Sequence, residues 1–455
     1  MQAYKTTNGI TRLKKLLKVK DVFESFTKSQ VAGAVILFIC AIVAMVWANT
    51  QYYESYFDMQ KVIAGFAIGS FSLKKTISHW INDGLMAFFF LLVGLEVKRE
   101  IVAGELKTLS KALLPIVAAI GGMVVPALIY VWINLGHETM VGWAIPMTTD
   151  LAFVLGVMAL LGSRIPKPIF IFVSAAAVVD DILAVIIIAI FYTQTLAWGY
   201  LGLAFAMMII LFILNRINVR AIWPYLLVGA VLWYALLYGG IHATIAGVLV
   251  ALAVPAKDIC KPEEVQKVLA HLTCKFDGLK EKTGEAFVES SHAVLNTLEK
   301  AVSYYETPLE KLEHKLHVPV MYYIVPIFIL TNAGVALSGV DFAELLASPL
   351  TLGVGLGLLL GKSLGVFLIV SLCVFLKIAK LPEGMKLIYF LPVSILLGIG
   401  FTMSIFVAEL SFGQSEQLMI EAKMGILGAS VICAVLGFLI LWLCFPKHKA
   451  RAVAA

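Results

Sequence analysis

VSAAAVVDDILAVIIIAIF, residues 173–191, is long and apolar enough to cross a bilayer, yet two adjacent carboxylates, Asp180 and Asp181, stand at its middle. A carboxylate at that depth costs at least about 2.5 kcal/mol, so an intramembrane charge is read first as a functional residue. Neighbouring positions on an α-helix are about 100° apart, so these two side chains cannot point the same way. One can face a water-filled cavity while the other turns toward a neighbouring helix.

The rest of the chain shares this character. Of its 455 residues 61% are hydrophobic and 14% charged, whereas a soluble domain carries about a quarter charged residues. The apolar residues fall into blocks long enough to span about 30 Å of hydrocarbon. Twelve such segments are read, at 31–50, 78–97, 112–133, 142–162, 168–192, 197–215, 222–238, 241–255, 319–338, 350–376, 387–411 and 421–445. The expected fold is an all-α polytopic membrane protein. The segments after the first two divide five plus five, compatible with an internal repeat.

Orientation follows from the loops, because Lys and Arg stay on the cytoplasmic side. VKREIVAGELKTLSK, GSRIPKP, NRINVR, KIAKLPEGMK and the tail PKHKARAV are basic; LGHETM, YTQTLAW, LYGG and SGVDFAELLASP contain neither Lys nor Arg. Both termini are expected in the cytoplasm. Residues 1–30, with Leu13, Leu16, Leu17, Phe23 and Phe26 among lysines, read as a basic amphipathic helix on the membrane surface or a solvated tail, and no cleavable signal peptide is expected. Spans 1–8 occupy 31–255, a cytoplasmic connection with helical periodicity 256–318, spans 9–12 residues 319–445, and a tail 446–455. The outside stretch at about 57–75, around Gly65 and Gly69, fits a hairpin or an irregular loop; an exposed hairpin edge invites a second copy. The net charge of +6 reads as membrane topology, and no basic-aromatic surface for nucleic acid is present. Cys40, Cys373, Cys433 and Cys444 lie in spans, Cys260 and Cys274 in the long loop with His271 between them; with no CxxC pair, free thiols are expected rather than a zinc site. No cofactor is expected.

Four ionisable residues lie deep within spans: Asp150, Asp180, Asp181 and Lys362. Lys362 is expected to partner one of the paired aspartates. Gly353, Gly357, Gly361 and Gly365, spaced by four, form a stripe around it that permits close helix approach. Two spans look interrupted: WAIPMTTDLAFVLG at Pro146, ahead of Thr148, Thr149 and Asp150, and LLGIGFTMSIF at Gly398 and Gly400, ahead of Thr402 and Ser404. Interrupted helices expose half-helix ends of about half a unit charge each; Asp150 is expected to offset the positive ends and Lys362 the negative ones.

LMAFFFLLVGLEVKRE, AIPMTTDLAFVLG, AAAVVDDILAV, HATIAG, LEHKLH, NAGVALSG, LGKSLGVF and GIGFTMSIF, in this order from about residue 80 to 410, resemble the NhaA-type sodium/proton antiporters of bacterial inner membranes. The rule that interrupted helices mark a transporter's midplane site was itself drawn in part from that family, so it is not independent support. The resemblance implies twelve helices with an inverted repeat, two crossed interrupted helices and a homodimer formed through the periplasmic hairpin. It implies that Asp181 is central to Na+ binding with Asp180 beside it, that Asp150 and Thr149 lie at the crossing, and that Lys362 pairs with Asp180. Glu96, Glu100, Glu313, His314 and His317 match a cytoplasmic cluster linked to pH response, and Asp83 and His242 match further family positions. The stretch between Lys257 and Thr307 is longer than the corresponding family connection and leads into that cluster, so the pH set-point is where a departure is expected.

The implied activity is electrogenic exchange of Na+ or Li+ for H+. A carboxyl group removed from water holds its proton more tightly, and it can hold a proton or a sodium ion but hardly both. Another monovalent cation/proton exchanger is the nearest alternative. An intramembrane aspartyl protease is disfavoured, because its two acids come from separate segments and no G-x-G-D motif occurs. A passive channel accounts less well for an ionisable lysine beside interrupted helices.

Overall fold

The structure, a computed structural model, describes residues 30–68, 71–193, 196–256, 306–337, 341–379, 381 and 385–445. The expected amphipathic N-terminal helix, Gly69, the two loop cysteines with His271, the helices expected within 257–305 and the C-terminal tail lie outside the described residues.

Among the described residues, regular structure is helical apart from one two-stranded sheet. Helix α1, Gln30–Ala48, leads through α2, Tyr53–Lys61, into the antiparallel strands β1, Ile63–Ile68, and β2, Phe71–Thr76, paired from Ile63 with Thr76 to Ile68 with Phe71. A π-helical turn, Trp80–Leu85, runs directly into α3, Met86–Val102, and then come α4, Leu109–Ile133, α5, Leu151–Leu160, and α6, Lys167–Phe191. Beyond these lie α7, Trp198–Arg216, α8, Trp223–Gly239, and α9, Ile245–Ala253. Gly240 ends α8 in the left-handed region, at φ +87°.

After the long connection, α10, Pro308–Pro319, continues through a π-helical stretch into α11, Val325–Asn332. The sequence reading places residues 308–318 in the cytoplasmic connection, ahead of a span read from 319; a capping box of Thr307 and Glu310 starts the helix at Pro308. Helices α12, Pro349–Leu356, and α13, Ser363–Phe375, are joined by another π-helical stretch that carries Lys362. The last elements are α14, Phe390–Leu396, α15, Phe401–Phe412, and α16, Glu416–Cys444.

Among the described residues seven helices are long and apolar enough to cross a membrane, or nine spans if each of two bent pairs counts as one. The bent pairs are the segments expected to be interrupted: a 3₁₀ helix, Glu138–Met147, meets α5 at 43°, and Leu387–Leu396 meets α15 at 49°. Pro146 lies within the 3₁₀ segment and the break follows at Thr148–Asp150. Its ring packs where a Cβ on Gly357 would stand, 2.7 Å away.

The glycine stripe is the seam that positions Lys362. A Cβ on Gly361 would stand 2.6 Å from the Pro126 backbone of α4, and one on Gly365 would collide with the Gly121 carbonyl. Such an approach leaves no room for a larger residue. Gly361→Leu is expected to cost at least about 2 kcal/mol and to lower the melting temperature of the detergent-purified protein by several degrees. Gly428→Ala, where nothing lies within 4 Å, should leave it unchanged.

Candidate functional site

The two interruptions meet. The Asp150 backbone N–H donates to the Ile399 carbonyl over 2.7 Å, tying the non-helical stretch of one bent pair to that of the other. The Asp150 carboxylate caps its own helix, accepting from the Phe153 N–H at 3.3 Å, and also accepts from the Thr402 N–H at 3.0 Å and from the Thr402 hydroxyl. One carboxylate thus serves the N-terminal ends of α5 and α15, where helix dipoles place partial positive charge.

Lys362 serves the opposite polarity. Its ammonium donates to the Met147 carbonyl, at the C-terminal end of the 3₁₀ half-span, and pairs with Asp180 Oδ2 at 2.9 Å. Lys362 is wholly buried and Asp180 is 3% exposed. The Thr149 hydroxyl lies 2.8 Å from the same Asp180 oxygen and 3.0 Å from the Leu397 carbonyl; its single proton can go to only one of them at a time. Among the described residues the other Asp180 oxygen, Oδ1, has no hydrogen-bond partner. A second hydroxyl layer closes the crossing, with Thr148 and Ser404 oxygens 2.9 Å apart and Ser404 donating to the Ile145 carbonyl at 3.0 Å.

Asp181 points elsewhere. It lines a cavity of about 110 Å³ together with Thr149, Asp150, Glu96, His317 and Thr402. Among the described residues no hydrogen bond or ion pair to its carboxylate is formed. Helical spacing thus separates the neighbours: one carboxylate is buried against a lysine, the other opens on a cavity.

The residues that the resemblance links to pH response divide. Glu96 and His317 line the Asp181 cavity. Glu313 is buried and paired with Arg99, whose other nitrogen lies 3.5 Å from Glu100, while Glu313 Oε2 has no hydrogen-bond partner among the described residues. Glu100 lines a neighbouring cavity of about 460 Å³ and also accepts from the Glu105 N–H at 3.1 Å. His314 is exposed and lines neither of these. Asp83 and His242 line a separate cavity beside the hairpin. Gly398 is needed for close packing, since a Cβ there would stand 2.6 Å from the Leu358 carbonyl; one on Gly400 would collide with the Ser404 side chain.

Sequence reasoning did not single out Arg99 or Thr402 as site residues. Arg99 sits at a span end, where a charge reaches water cheaply. Thr402 carried one signal, a hydroxyl two residues after a mid-span glycine. Among the described residues no cluster of His, Cys, Asp and Glu fit to hold a metal is found, and Cys40, Cys373, Cys433 and Cys444 are free thiols.

A sequence profile for the family described as Na+/H+ antiporter 1 matches residues 24–441. The chain is 42% identical over 433 residues to the Na(+)/H(+) antiporter NhaA 1 of Saccharophagus degradans, covering 94% of this chain and 92% of the relative. It is 40% identical to the Na(+)/H(+) antiporter NhaA of Sulfurimonas denitrificans, covering 95% and 97%, and 44% identical to that of Oleidesulfovibrio alaskensis, covering 93% and 94%. Agreement on this scale, over a helical membrane fold whose two interruptions meet at a buried acid, makes the chain a member of the NhaA-type Na+/H+ antiporter family.

Proposed function

We propose that the protein is a secondary transporter that expels sodium in exchange for protons, with Asp181 as the carboxylate for which the two ions compete. The observation that carries this reading is the split between the paired acids: Asp180 is held by Lys362, while Asp181 opens on the cavity. Sodium, a hard cation, takes oxygen ligands, and the cavity offers the oxygens of Asp181, Thr149, Asp150 and Thr402. A bound sodium ion disfavours the proton and a bound proton disfavours sodium. If the site faces each side in turn, that competition alone produces exchange. With more than one proton per sodium the cycle is electrogenic and draws on the membrane potential, about 2.3 kcal/mol per charge at 100 mV. Lithium, equally hard, is expected as a second substrate.

The same reading gives twelve spans in an inner membrane with both termini cytoplasmic, an inverted repeat, and crossing of the two bent pairs at Asp150. The hairpin edge is the proposed dimer contact. Glu96, Glu100, Glu313, His314 and His317, joined in part through Arg99, form the proposed pH-responsive mouth. Everted vesicles that carry the protein and a preset proton gradient test the function. Sodium and lithium should collapse the gradient in a pH-dependent way, and potassium should not; collapse by potassium at equal concentration would favour a general monovalent cation/proton exchanger.

The connection 257–305 is proposed as a separable insert. The chain leaves and returns at one point, since the Leu309 N–H donates to the Pro255 carbonyl over 3.2 Å. Replacement of residues 258–305 by a short Gly/Ser linker is expected to leave maximal exchange within about twofold, because closing a shorter loop costs little. A shifted pH profile in the same vesicles would assign the insert a regulatory role; loss of exchange would show that the fold needs it.

A further inference from the structure

The 3₁₀ half-span Glu138–Met147 ends at the ion site and is 10 residues long. Runs of 3₁₀ helix longer than about four residues are uncommon, because their hydrogen bonds are poorly aligned. At about 2.0 Å per residue the run is about 5 Å longer than the same residues in an α-helix. Contacts from outside must therefore hold it extended.

Those contacts are side chains that grip its carbonyl oxygens. At the site end the Met147 carbonyl takes the Lys362 ammonium, and the Ile145 carbonyl takes the Ser404 hydroxyl. At the far end the Tyr130 hydroxyl of α4 donates to the Thr139 carbonyl over 2.5 Å. The Tyr192 hydroxyl, just beyond α6, donates to the Val141 carbonyl over 2.8 Å. Both tyrosines are buried, where such a bond is stronger than in water. Gly142 lets the run come this close, since a Cβ there would stand 2.6 Å from the Tyr130 hydroxyl.

The far end is also tied to the arm that carries Lys362. The Thr139 hydroxyl donates to Asn134 Oδ1 over 2.7 Å, and Asn134 Nδ2 donates over 3.1 Å to the carbonyl of Pro349, the first residue of α12. From there the arm runs through α12 and the π-helical stretch to Lys362. The half-span is thus fastened to one arm at both ends, with the two tyrosines as its far-end pegs.

We propose that Tyr130 and Tyr192 are positioning residues for sodium–proton exchange: by holding the Thr139 and Val141 carbonyls they keep the half-span extended, and so set the depth at which Met147 meets Lys362 and Thr149 meets Asp180. This rests on the sodium–proton reading above. Neither tyrosine lines the Asp181 cavity; both act through the backbone. With either peg lost the pull on the site end slackens, and Thr149 and Asp150 leave the depth at which their oxygens surround the cavity. Sodium needs several oxygens at once, so its binding weakens while the folded carrier still turns over.

The test uses purified full-length protein in proteoliposomes, with sodium-driven proton movement followed by an internal pH dye at one fixed alkaline pH. The parent chain must exchange sodium for protons; failure there overturns the sodium–proton reading, and this proposal with it. Tyr130→Phe and Tyr192→Phe keep the ring and remove only the hydroxyl. Each is expected to raise the KM for sodium at least about threefold, the scale of one lost hydrogen bond, with the maximal rate within about twofold. Tyr225→Phe is the control. That tyrosine is as deeply buried and donates to the Val219 carbonyl over 3.1 Å, but it lies on α8, so its loss should leave KM unchanged. An unchanged KM in both site variants, a lower maximal rate at unchanged KM, or an equal rise in Tyr225→Phe would overturn the positioning role.

Should a variant reconstitute poorly, binding is read in detergent, where sodium stabilises the folded protein by mass action. The sodium concentration needed for a given rise in melting temperature should increase by the same factor in Tyr130→Phe and Tyr192→Phe. An equal requirement in the parent and both variants would overturn the proposal.

Discussion

Asp181→Asn is expected to abolish exchange. In everted vesicles a preset proton gradient should survive sodium addition, with a rate reduced by at least about a hundredfold, or about 2.7 kcal/mol of lost interaction. Asparagine is nearly isosteric, and the replaced carboxylate makes no hydrogen bond or ion pair among the described residues, so the fold loses no contact. What disappears is charge. The amide attracts sodium weakly and binds or releases no proton between pH 6 and 9, so neither half of the exchange remains. The melting temperature should stay within a few degrees of the parent, which separates this result from misfolding. Asp341→Asn, a substitution at an exposed helix cap, should leave transport intact. Preserved exchange in Asp181→Asn would move the competition site away from the cavity and end the mechanism proposed for it.

Lys362→Met is expected to produce the largest loss of stability of any single change near the site. It leaves Asp180, 3% exposed and already with one oxygen unpartnered, without its cation, and it strips the Met147 carbonyl of its donor. Breaking a buried pair from one side costs about 3–5 kcal/mol. The orphaned carboxylate can escape that cost by taking a proton, so the loss should be greatest at alkaline pH and shrink as the pH falls. The double variant Lys362→Met with Asp180→Asn removes both charges and should recover most of the melting temperature. A double variant that loses the sum of the two single effects would show the pair to be energetically independent. Restored stability without restored exchange would mean that the pair is needed for the transport cycle itself.

The features legible in the sequence were those for which hydrocarbon charges a high price. Asp150, Asp180, Asp181 and Lys362 stand out because each interrupts a run of apolar residues, and Gly361 and Gly365 because their spacing matches a helix face. The divergence of the paired acids followed from helix geometry alone. Thr402 was hidden for the opposite reason. A hydroxyl in an apolar helix is cheap when it donates back to its own turn, as Ser363 does to Leu359 and Ser411 to Val407. Only the fold shows that Thr402 instead donates to an acid 252 positions away. Arg99 was hidden by its place at a helix end, and its pairing with Glu313 depends on how α10 packs against α3. The continuity of α10 with α11 was not legible, because its charges mark a helix outside the bilayer, whereas a capped helix runs from Pro308 through the π-helical stretch to Asn332.

The shared carboxylate of Asp150 has a consequence for inheritance. One side chain closes the first turn of both α5 and α15, and its own backbone is fastened to Ile399. Neither interruption can therefore be redrawn while the other stays as it was. Residues 149–153 and 397–402, far apart in the gene, should drift together among descendants, and covariation between them should stand above that of any other pair of segments. A chimaera that joins residues 138–160 of one distant relative to residues 387–412 of another should accordingly accumulate poorly in the membrane, even where each parent is well expressed.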